Sequence, residues 1–234
     1  RSLFKRVAYD NRCNPECALD IVYHVGESFY DKSLESAVRW CHEAAILGAK
    51  RLGHCIALGL APEIAVGRQP GGHEEELVSE RIDQIDYDLS HASGLRTFNV
   101  EVDTCALLEE RKYLLQCEPN GIVRHPYDAS RLHSIEGRQR FVLAEIARIG
   151  AVIEICPTSN LCLGGVPYPE VHPLHNFLLS DVDLVIAADD PGIFDSPLSE
   201  EIDWVLQHSG LEKNALAKRL GDPRQFKLGQ RRKR

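Results

Sequence analysis

The stretch Ala151–Pro191 reads AVIEICPTSNLCLGGVPYPEVHPLHNFLLSDVDLVIAADDP. Two short apolar runs stand in it, Val152–Ile155 and Leu184–Ala187. Both are rich in β-branched residues and bounded by turn formers, which is the length and composition of a buried parallel strand rather than a helix. Each run is soon followed by polar residues: Ser159 and Asn160 after the first, Asp189 and Asp190 after the second. In a parallel α/β barrel the C-terminal end of a strand is where chemistry is done. Two adjacent carboxylates just past an apolar strand are costly to bury unless they hold a cation or a ligand. Asp-Asp-Pro also suits an ordinary helix start, with an Asp cap and Pro191 in the first turn.

Working outward, the helical pattern of residues 139–149 (apolar Phe141, Val142, Leu143, Ile146 and Ile149) feeds the first of these strands. Nearer the N-terminus, Ala18–Tyr23 reads as a strand ending in His24-Val25-Gly26-Glu27-Ser28. A helix follows from Ser33, its cap, to Gly48, with Leu34, Ala37, Val38, Cys41 and Ala45 as an apolar stripe. Lys50–Leu58 is then a strand region carrying His54. Strand, helix, strand is the βαβ repeat. Residues 1–17 are polar and turn-rich and read as a loop. After Asp189, residues 199–209 and 211–220 read as helices, and a short one lies around His172–Leu179.

The rhythm breaks between Glu63 and Gly137. Val66–Gly72 reads as a flexible loop, Glu74–Leu89 as a charged helix, Thr97–Val102 as a strand, Thr104–Cys117 as a helix and Glu118–Gly121 as a turn. The chain thus divides into barrel units at 1–62, an insertion at 63–137 forming a cap or a contact surface, and barrel units at 138–234. His73, His91, His125 and His133 fall in the insertion or at its edge without ligand spacing and read as surface residues.

With 234 residues, 44% of them hydrophobic and 26% charged, the composition is that of a soluble α/β protein. No apolar run approaches the ~20 residues of a membrane span. A net charge of −8 argues against non-specific nucleic-acid binding. The basic tail Gln230–Arg234 reads as a solvated end. Eight cysteines occur with no C-x-x-C pair, so they read as reduced thiols of a cytoplasmic protein rather than a structural zinc site. The chain has no Met and begins with Arg1, as an excerpt of a longer product does.

Four strand tips carrying His24, His54, Ser159/Asn160 and Asp189/Asp190 are what one barrel rim needs to hold a hydrolytic metal. Zinc takes imidazole and carboxylate donors and, in catalytic sites, keeps a position for water. It lowers that water's pKa from about 15.7 to about 7. A neighbouring Glu can supply a proton to the leaving side of the substrate.

The ordered set HVGES (24–28), RLGHC (51–55), EICPTSN (154–160), HP (172–173) and ADDP (188–191) resembles the adenosine deaminase family of the amidohydrolase superfamily. The resemblance covers roughly residues 18–62 and 138–212. It implies a (β/α)8 TIM barrel of the metal-dependent hydrolase type, of which the last four βα units are present together with an inserted subdomain. It also implies zinc-dependent deamination of adenosine or a related 6-aminopurine, giving an inosine-type product and ammonia. By position, His24 and Asp189 would be zinc ligands and Glu27 would protonate the purine N1. His54 would orient the attacking water and help deprotonate it, Asp190 would bond N7, and Gly26 would let the backbone approach the base. Ser159 and Asn160 would shape the loop or support the site residues from behind, and His172 would shape a loop. The partner would be a small-molecule purine nucleoside, with no membrane and with a homo-oligomer formed through 63–137.

The family's His-x-His zinc pair is absent from this sequence, and a complete barrel needs about 250 residues. The expectation is that the N-terminal half of the barrel lies outside this sequence or comes from another chain. Cys55 stands where short members have Gly, and Ala188 where Thr is commoner. Two other readings stay open. One is a non-catalytic assembly module like the large bacterial deaminase-like proteins, some of which act in phage defence; the other is a related amidohydrolase with another substrate.

Overall fold

A computed structural model describes residues 2–29, 31–67 and 73–229. Residues Arg68–Gly72 of the expected loop and the basic tail Gln230–Arg234 lie outside the described residues.

Four strands build one parallel sheet: β1 (Ile21–Val25), β2 (Ala49–His54), β3 (Val152–Ile155) and β4 (Asp183–Ile186), in that order across the sheet. The register sets His24 opposite Gly53, Val25 opposite His54, Gly53 opposite Glu154 and Ile155 opposite Ile186. All four C-terminal ends therefore share one rim. This is an α/β arrangement, a four-stranded parallel sheet with helices packed on it. Leu52, Ile153 and Leu184 are almost wholly buried, as a sheet packed against helices demands.

The crossover helix α1 (Leu34–Ile46) begins where the sequence places it: the Ser33 hydroxyl accepts the Ser36 N–H at 3.0 Å. It packs on α2 (Ala129–Ile149), which starts at the Asp128 cap and ends at Gly150, whose φ of +78° suits the left-handed stop of a helix. The helix is ten residues longer at its start than its apolar stripe alone implies, and it runs straight through the boundary expected at 137/138. Gln139 on α2 donates to Ala57 O and Leu60 O, both at 2.8 Å, and pins the helix to the turn after β2.

Three expectations need correction. Residues 2–13 are a helix rather than a loop, because Phe4 is buried with its ring 5.4 Å edge-on from Tyr23, which gives the segment an apolar face to dock. His73–Leu77 is a strand, antiparallel to Ile122–Pro126, and the charged helix begins only at Val78 and runs to Thr97. Thr97–Val102 is not a strand. Val100 and Val102 are buried, but Asn99 holds a φ of +61° and Phe98 and Val100 press on Gly137, where a Cβ would meet the Phe98 oxygen at 2.6 Å.

The inserted block has a small core of its own, Val78, Ile85 and Leu114, yet Tyr87, Leu95, Val100 and Ile135 belong to the main core. Its helices are thus built into the sheet's outer layer. Among the described residues no helix is long and apolar enough to cross a membrane.

Candidate metal centre

Each strand delivers its polar residue by a different local device. His24 comes from the end of β1, and its ring lies over Gly53 of the neighbouring strand. A Cβ at position 53 would stand 2.5 Å from His24 Cδ2, so the ring's place depends on glycine there. His54 ends β2 with a φ of +64°, and Cys55 follows at +51°. Left-handed backbone at such residues costs about 1–2 kcal/mol each and is typically tolerated where a site requires it. The thiol of Cys55 is fully buried, hydrogen-bonded to Cys41, and pushed well above its usual pKa by burial. Asp189, three residues past β4, also holds a positive φ of +55°.

These turns bring His24, His54 and Asp189 together: one ligand atom from each lies within 4.8 Å of the others. The two imidazoles meet edge to face with centroids 4.9 Å apart. His54 is buried while His24 and Asp189 are exposed. Glu27, half-buried on the turn after β1, places Oε1 3.6 Å from His54 Nε2. The Ser159 hydroxyl donates to Asp189 Oδ2 at 2.6 Å and fixes the carboxylate's orientation.

The other site candidates fall into place around this cluster. Gly26 holds a φ of +66°, and a Cβ there would meet Cys41 Sγ at 2.6 Å; its carbonyl accepts the Ala57 N–H. Asp190 stands next to the cluster but outside it. Its Oδ1 accepts the N–H groups of Gly192 and Ile193 at 3.1 and 3.2 Å, capping the short helix Pro191–Phe194. The helix-start reading of the Asp-Asp pair thus holds for Asp190, while Asp189 is the member that joins the cluster.

The sequence under-read Asn160 and His172. Both are buried at 1% exposure, and the Asn160 amide lies 2.9 Å from His54 Nδ1 and 3.1 Å from His172 Nε2. Burial, aided by His175 and His208, holds His172 down to about 3. The signal was available in the polar Ser159-Asn160 pair and the HP pair, although Ser159 and Asn160 lie in the helix Pro157–Cys162 after the strand rather than at its tip. A cleft of about 670 Å³ lies elsewhere, between α2 and residues 176–181, and is lined by Leu143, Ala147 and Leu179. Chemistry rather than volume therefore picks out the rim.

The donor set suits zinc: imidazole nitrogen and carboxylate oxygen, with the carboxylate already oriented by a hydroxyl. A strand-end rim with two imidazoles, a carboxylate and an adjacent glutamate offers a divalent metal the donors it takes. A family model for adenosine deaminase matches residues 128–221, about two fifths of the chain. The match contains Asn160, His172, Asp189 and Asp190; His24, Glu27 and His54 lie upstream of it.

Among relatives, an aminodeoxyfutalosine deaminase of Streptomyces coelicolor is 33% identical over 76 residues, 32% of this chain and 20% of that protein. An adenine deaminase of Rhizobium leguminosarum bv. trifolii is 33% identical over 69 residues, 30% of this chain and 21% of its own length. An adenosine deaminase-like protein of Drosophila melanogaster is 34% identical over 71 residues, again 30% and 21%. The matched part of this chain thus spans about a fifth of the length of these relatives.

Proposed function

We propose that this chain is the site-bearing portion of a zinc-dependent aminohydrolase that replaces the 6-amino group of an adenine-type purine with oxygen and releases ammonia. The observation that carries this reading is the approach of His24, His54 and Asp189 to within 4.8 Å on one strand-end rim, with Glu27 beside them. The relatives' names, which span adenine, adenosine-like and aminodeoxyfutalosine deaminases, support a 6-aminopurine as the substrate class.

His24 and Asp189 would hold the metal, with further donors from beyond these two because the sequence contains no His-x-His pair. When bound, zinc lowers the pKa of a coordinated water enough to make it a nucleophile at neutral pH. The chain's own groups do the rest. Glu27 protonates the ring nitrogen N1 as water adds to C6, so the ring becomes the electron sink. His54 orients the attacking oxygen. Asp190 spends Oδ1 on its helix cap, which leaves Oδ2 to meet N7. The proton lost by the attacking water passes to the amine, which departs as ammonia, and the new C6 hydroxyl returns its proton to Glu27, leaving a 6-oxopurine protonated at N1.

Glu27→Gln in the metal-loaded full-length protein tests this. Turnover falls by about 10²–10⁴-fold while bound zinc is unchanged. A metal-replete protein that leaves adenosine, deoxyadenosine, AMP and adenine all unconverted overturns the reading.

A further inference from the structure

Four polar groups in a row connect the backbone of residues 172–174 to the candidate centre. Leu174 N–H donates to His172 Nδ1 at 3.0 Å, His172 Nε2 lies 3.1 Å from the Asn160 amide, and the same amide lies 2.9 Å from His54 Nδ1. The three side chains are each 1% exposed, so solvent does not substitute for any link.

The direction of donation is fixed at one end. A backbone N–H only donates, so Nδ1 of His172 is the bare nitrogen of its ring. His172 is neutral, since burial holds its pKa down to about 3. A neutral imidazole with a bare Nδ1 carries its proton on Nε2, which donates to Asn160. The oxygen is the arm of the amide that accepts. The opposite placement, with Nδ2 on His172, sets one N–H against another. The structure draws Oδ1 on His54 and Nδ2 on His172, but the two arms of an amide have the same shape and the hydrogen-bond network decides between them. It turns the amide over, with the oxygen toward His172 and the NH2 toward His54.

We infer that Leu174 N–H, His172 and Asn160 form a tautomer lock, passing the polarity of one backbone amide through a ring and a side-chain amide so that His54 accepts at Nδ1 and keeps its proton on Nε2. That Nε2–H points toward Glu27 Oε1, 3.6 Å away, and the metal centre. A protonated nitrogen offers no lone pair to a cation. Of the three converging groups, His24 and Asp189 remain as ligands and His54 becomes a hydrogen-bond donor next to them. It holds an oxygen in place, either the attacking water or the oxygen forming at C6, and does not take the proton from it. This revises the expectation that His54 helps deprotonate the water. His172 and Asn160 are positioning residues that act through His54. The catalytic meaning of the lock rests on the proposed aminohydrolase reading, whereas the tautomer itself does not.

The test is ¹⁵N-resolved NMR of the histidine rings in the full chain at near-neutral pH, without metal, with His54→Gln assigning the His54 signals. The expected spectrum shows His54 Nε2 protonated and Nδ1 bare. In Asn160→Asp a carboxylate accepts from both rings, so the His54 proton moves to Nδ1. In His172→Phe, which keeps a ring edge against Trp204, the lock opens and both tautomers appear. A His54 protonated at Nδ1 in the unsubstituted chain overturns the proposal, as does retention of Nε2–H in folded Asn160→Asp. If the variants do not fold, the unsubstituted spectrum decides alone. In the metal-loaded enzyme Asn160→Asp lowers kcat about 10–100-fold with KM little changed. A locked Nε2–H tautomer in a protein that deaminates no purine sinks the reaction and leaves the lock. An active enzyme with Nδ1–H does the reverse.

Discussion

The rim and the inserted block both bury polar side chains, and they do so by opposite means. In the block the groups are charged and paired in forks. Arg131 reaches Glu35 at 2.7 and 2.8 Å and also Glu74; Arg138 grips Asp88 with both terminal nitrogens; Arg81 meets Glu110 at 2.7 Å twice. At the rim the buried groups are uncharged or hydrogen-bonded end to end, from the backbone of Leu174 through His172 and Asn160 to His54. These pairs, which tie the block to Glu35 and Arg138 on its flanks, set each charge against an opposite one. The rim keeps its carboxyl groups, Asp189 and Glu27, free of any arginine partner within the pairs described, so both remain open to an incoming ligand.

That contrast can be broken at its strongest point first. Arg138→Leu strands the Asp88 carboxylate, whose side chain is 3% exposed, and should cost about 3–5 kcal/mol in urea or thermal unfolding. The double variant with Asp88→Leu should recover most of the loss. A single variant as stable as the parent would mean the fork contributes no more than a surface pair.

The pH response sharpens the comparison, because the two regions carry opposite signs. His172 sits at about 3 in the fold against 6.5 when unfolded, so the folded chain binds this proton less well. Its contribution is intact above about pH 6.5 and lost as the pH falls, by about 2 kcal/mol at pH 5. Glu74 is pushed up to about 7 by burial and by the Glu35 charge, from a usual value of 4.5. The folded chain holds that proton more tightly, and stability from this group falls as pH rises between about 4.5 and 7. Urea midpoints across pH 5–8 should show His172→Phe losing acid sensitivity and Glu74→Gln losing the alkaline slope. Variants that keep the parent's profile would erase the distinction.

The smallest expected effect is at the rim itself. Ser159→Ala removes the 2.6 Å hydrogen bond to Asp189 and should weaken zinc binding about tenfold, with stability changed by about 1 kcal/mol or less. Unchanged zinc affinity in a calorimetric titration would show that Asp189 needs no help in facing the metal.

The sheet was readable because parallel strands buried on both faces leave dense β-branched runs, and the tips were readable because polar residues interrupt them abruptly. Val152–Ile155 is a strand over the whole range expected, and His24, His54 and Asp189 converge. What escaped has a common cause in contacts far apart along the chain. HEEEL at 73–77 carries three glutamates and looks nothing like a strand. It becomes one because Ser36, the Leu34 N–H, Tyr127 and Arg131, brought in from distant segments, satisfy Glu74 and Glu76. Thr97–Val102 alternates like a strand but finds no neighbour to pair with and instead wedges against Gly137. Asn160 reads as a loop former until His172, twelve positions on, comes within reach of its amide.

The uneven exposure of the three converging side chains sets an order of arrival. His24 and Asp189 face outward while His54 lies behind them. On the proposed reading an incoming cation would meet the two outer groups first, with its remaining donors still to be supplied. The inner imidazole would be reached last, so it would judge what comes in with the ion rather than the ion itself. Capture and discrimination would then be separated by depth.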